Sequence, residues 1–143
     1  MTSQLGAQPG RDAINAILRF IDIFSAPGFD PLLSRAEKAA RGLPAEAALY
    51  PVNHPQLDQF LATVMQPCWL TTHPDSDKAL TLLQDDQRIA SASQDDIRLI
   101  LSGYLRGERF CDGFHALMIS NGQIIKVLKR IAEIFPDNSS ITE

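Results

Sequence analysis

The chain has little cysteine: two residues in 143, Cys68 and Cys111. Two thiols cannot build a disulfide framework, so both are expected to be reduced, and the default address is the cytoplasm. Also missing is any apolar run near the roughly 20 residues that a membrane-spanning helix requires, so no membrane span is expected. The first ten residues lack the basic start and apolar stretch of a secretory signal. Positive charge is not in excess. A formal net charge of −4 and a pI near 5.3 argue against wrapping nucleic acid, which rests on neutralising phosphates, although a local basic patch is compatible with that total. His54, His73 and His115 are scattered without the paired spacing of zinc sites, so no metal is expected, and the first two precede prolines and read as loop residues. Phosphate-cradling glycine loops, a serine-centred elbow and basic–aromatic alternation are all absent, and no cofactor is expected.

What is present is the composition of a folded domain: 45% hydrophobic and 21% charged residues. The length fits one core. Residues 11–136 are expected to form it, with a disordered tail at 1–10 and a polar tail at 137–143. The apolar spacing predicts an all-α bundle of about five or six helices, with room for a short strand near 49–52. Ile14, Ile17, Leu18, Ile21 and Phe24 share a helical stripe that Ala26-Pro27-Gly28 stops. Asp30-Pro31 then reads as an N-cap and first helical residue, opening a helix with a thin face of Leu32, Leu33, Ala36, Ala39 and Ala40 that ends at Gly42. A helix over 56–66 turns Leu57, Phe60, Leu61, Val64 and Met65 inward, and Trp69 reads as core. A short helix over 77–86 ends at Asp85-Asp86, and Ser93 to Asp96 form a capping box. Behind that box Ile97, Ile100, Leu101, Tyr104 and Leu105 make a clean stripe. A helix over 112–120 buries Phe114, Leu117 and Met118. After Asn121-Gly122, a left-handed helix stop, the last helix turns Ile124, Leu128, Ile131 and Ile134-Phe135 inward until Pro136.

One stretch breaks the pattern of solvated charge. Arg106-Gly107-Glu108-Arg109-Phe110-Cys111-Asp112-Gly113 packs four charged residues and two glycines between two apolar helices. Arg106, Glu108, Arg109 and Asp112 could form an anion-binding or acid/base cluster. The structural alternative is stronger, because corners between helices need such bonding. In it Asp112 caps the short helix, an arginine ties the corner to a carboxylate or to carbonyls, and Gly107 and Gly113 allow turn dihedrals and close helix approach. Cys111 and His115 lie four apart, the minimal nucleophile and base, but nothing marks a third orienting group. Arg109 and His115, with five residues between them, fit the Arg-x(4–6)-His spacing of the HEPN superfamily. That resemblance implies a small helical dimer cutting RNA, with His115 as acid/base and Arg109 stabilising phosphate charge. The residue after the arginine is usually polar in that superfamily, and here it is Phe110.

From Ile14 to Ile131 the chain resembles a mainly bacterial family of uncharacterised proteins, grouped as a domain of unknown function. The likeness rests on Ala26-Pro27-Gly28-Phe29, Tyr50-Pro51-Val52, Ile97 through Leu105, Asn121-Gly122-Gln123-Ile124 and Leu128-Lys129-Arg130-Ile131. Its most specific part is an Arg-x-(Glu/Asp)-Arg-Phe-x-(Asp/Glu)-Gly signature, met by 106–113. The resemblance implies a small helical fold, no assigned activity and no catalytic residues. Members often carry a histidine directly after the signature glycine, where this chain has Phe114 and places His115 one later. The expectation is therefore a non-enzymatic interaction or regulatory module that binds an unknown protein partner or a copy of itself. Its signature residues, structural or binding, are Arg106, Glu108, Arg109, Phe110, Asp112, Gly113, Gly122 and Arg130. The competing expectation is a nucleic-acid-directed hydrolase using Arg109 and His115.

Overall fold

A computed structural model describes residues 8–46, 52–109 and 111–136. The expected all-α architecture holds. The helices are more numerous than the apolar stripes suggest, because the first stripe is broken at one residue and a further short helix follows the one expected over 77–86 after a two-residue turn. The first splits at Arg19 into α1 (Arg11–Leu18) and α2 (Phe20–Ser25). Arg19 lies 4.2 Å above the Phe20 ring and donates to Gln59 Oε1 at 3.1 Å, so the bend ties the pair to the helix over Pro55–Val64. The second split divides α5 (Ser76–Leu83) from α6 (Asp86–Ala90). Asp85 is the cause: its carboxylate accepts the Gln87 and Arg88 amides at 3.1 and 3.2 Å and so starts a helix. The expectation that Asp85-Asp86 ends a helix is thereby corrected.

The α3 helix (Arg35–Ala40) begins four residues later than Asp30-Pro31 suggests. Ser34 and Glu37 form a complete capping box that outcompetes the earlier start. Asp30 instead accepts the Leu32 amide in a tight local turn, and Leu32 forms an isolated antiparallel bridge with Asn53. No residue of α3 is buried, so the expected alanine face is solvent-facing; Leu33, just before it, is buried. The strand expected near 49–52 lies outside the described residues apart from Val52, and among the described residues there is no strand, only that bridge.

The remaining helices are α4 (Pro55–Val64), α7 (Gln94–Gly107), α8 (Phe114–Ser120) and α9 (Gln123–Ile134), with a 3₁₀ turn at Pro67–Trp69. The Ser93–Asp96 capping box opens α7 as the sequence predicts. At its centre the bundle has α9, which touches α1, α2, α5, α6, α7 and α8, and buries Ile124, Val127, Leu128 and Ile131 completely. The broadest single contact is α5 against α7. It is possible because Gly103 faces Ala79: a Cβ on Gly103 would lie 2.2 Å from the Ala79 Cβ. Phe60 packs edge-on against Phe20 and Phe24 at 5.2 and 5.1 Å, those two rings lie tilted at 5.3 Å, and Phe60 joins Tyr104 to this core. Trp69 is core, 1% exposed.

Two expected core residues are on the surface. Met65 is 63% exposed, since α4 ends at Val64 and the chain turns outward there. Leu117 is 51% exposed, because His115 occupies the inward position and Leu117, two residues on, falls on the opposite side of α8. No described helix is long and apolar enough to cross a membrane.

Candidate functional site

The signature corner begins where α7 runs out. After Gly107 and Glu108 the backbone tightens, with the Arg109 amide bonding Arg106 O and the Cys111 amide bonding Gly107 O. At Gly113 it enters the left-handed region, φ +83°, which a Cβ would disfavour. That conformation turns the chain into α8 and leaves the first amides of the new helix in need of acceptors. Glu108 supplies them. Its Oε2 accepts the Gly113 amide at 2.5 Å and its Oε1 the His115 amide at 2.9 Å. One carboxylate from the end of α7 therefore caps α8. The expected cap, Asp112, is exposed and makes no capping bond.

His115 closes the clasp from the other side. Its Nε2 lies 2.8 Å from Tyr104 O and 3.3 Å from Leu105 O; both are acceptors, so Nε2 carries the proton and donates. The Tyr104 hydroxyl returns the bond, donating to His115 O at 2.8 Å. His115 Nδ1 faces Glu108 Oε1 at 3.4 Å. The Tyr104 and His115 rings also meet at a tilt, with centroids 4.7 Å apart. Each of the three residues thus satisfies a backbone group on the other helix. Gly107 permits the approach: a Cβ there would sit 2.3 Å from the Phe114 ring.

Burial pushes the Tyr104 phenol well above its usual value, and the nearby Glu108 charge adds to the rise. When unfolded, the phenol ionises near pH 10. The folded chain keeps that proton longer, so above this pH the unfolded state holds fewer protons. Stability from Tyr104 is therefore complete below about pH 10 and falls as pH rises beyond it. Chemical denaturation at successive alkaline pH values should show a steeper loss for wild type than for Tyr104→Phe. Equal slopes would mean that the phenol is not enclosed.

The other expected site residues are not drawn into this clasp. Arg106 and Arg109 are exposed, and neither side chain makes a hydrogen bond or ion pair with another described residue. Phe110 lies outside the described residues. Cys111 faces solvent while His115 is 7% exposed and turned inward, so the Cys–His pair is not assembled. Gly122 opens α9, and Arg130, on α9, serves a different junction: its Nε donates to Ala92 O at 2.9 Å and its Nη1 meets Glu133 at 3.1 Å. Among the described residues no group of three or more His, Cys, Asp or Glu could hold a metal.

Two further polar ties were not legible in advance. Gln123 Nε2 donates to Leu83 O at 2.8 Å and Asp86 Oδ1 at 3.1 Å, and Lys126 reaches Asp86 Oδ2 at 2.9 Å. They bind α9 across the α5–α6 break. Arg98, buried within α7, donates to Cys68 O at 3.2 Å and pairs with Asp95. The one signal for the clasp itself was Tyr104 and Glu108 at helical i, i+4 spacing ahead of His115.

Compared with known proteins, residues 10–137 match the model of a family of unknown function (DUF6508). No curated protein and no solved structure matches the chain.

Proposed function

Since the chain belongs to this family of unknown function, we propose from its own geometry that it is a non-enzymatic interaction or regulatory module. In this reading the 106–115 corner is a structural clasp that holds Arg106 and Arg109 out toward a protein partner or a second copy. The observation that carries it is the enclosure of His115. A general acid or base must reach the proton it moves. His115 is 7% exposed, its Nε2–H is spent on Tyr104 O and its Nδ1 faces Glu108. Arg109 stands apart in solvent, so the HEPN-like reading lacks an accessible histidine beside its arginine. Exposed unpaired guanidinium groups suit planar, bidentate recognition of a partner's carboxylates. With Cys68 and Cys111 both free, a reducing compartment such as the cytoplasm is the proposed setting.

Two measurements test this. Incubated with a pool of labelled RNA, the protein is expected to leave it intact; cleavage lost in His115→Ala would reverse the reading. Sedimentation over a range of concentrations is expected to show reversible association that weakens with salt and with the Arg106→Glu/Arg109→Glu pair, while the melting temperature stays put. A monomer at every concentration would remove self-association and leave a different protein as the partner.

A further inference from the structure

We draw no further inference here: the strongest candidate, the small pocket where Pro9, Ile97, Arg98 and Phe135 close around Trp69, is too small for more than a water-sized guest, and nothing in the structure aims the buried indole N–H of Trp69, which has no acceptor among the described residues, into it.

Discussion

Gly103→Ala is expected to lower the melting temperature by about 4–8 °C, and adding Ala79→Gly to the same chain is expected to recover most of that loss. The added methyl would lie 2.2 Å from the Ala79 Cβ, well inside contact distance, and both carbons are fixed to helical backbone. Neither can rotate away, so α5 and α7 must separate along their broad contact. Overpacking of this kind costs about 3 kcal/mol at its upper range, from which roughly 1 kcal/mol is offset by alanine's better helix propensity. Ala79→Gly alone should also destabilise, as a helix-interior glycine that deletes a buried methyl. The decisive quantity is the coupling in the double-mutant cycle, expected to be favourable by about 2 kcal/mol. Additive effects would show that the two helices do not meet at these residues.

The second large effect belongs to Glu108. Its removal in Glu108→Ala strips the Gly113 and His115 amides of their acceptor at once and leaves the start of α8 uncapped. Partly buried amides without partners cost about 1–3 kcal/mol each, and some of that is recovered by solvent. A loss of about 2–3 kcal/mol is expected, read by urea denaturation as a lower midpoint with an unchanged slope. Glu108→Gln retains one oxygen and should fall about midway. Arg109→Ala and Asp112→Ala change exposed side chains and should lie within about 0.5 kcal/mol of wild type. If Arg109→Ala proved as damaging as Glu108→Ala, the clasp described here would be wrong in its central member.

These two cases show where sequence reading ends. Ser93 and Asp96 could be read as a capping box because both halves lie within one helical turn. Ile124, Leu128 and Ile131 could be assigned to the core because their spacing repeats along one helix. Gly103 carried no such mark, since its partner is 24 residues earlier and the meaning of a missing Cβ exists only once α5 lies on α7. In the same way the corner was recognisable by its density of charge, but not by which charge is enclosed. Asp112 stood at the expected capping place; the bond went to Glu108 because the left-handed turn at Gly113 swings the first amides of α8 back toward the end of α7.

The sequence alone therefore determined that the protein is helical, where most helices begin, and which apolar residues are shared by the core. Those properties follow from interactions spanning three or four residues. Only the tertiary structure decided that Glu108 and His115 face each other across a junction while Arg106 and Arg109 remain in solvent. That outcome depends on how far α8 is rotated about its own axis, and the rotation is set by contacts with α7 and α9 rather than by anything within α8.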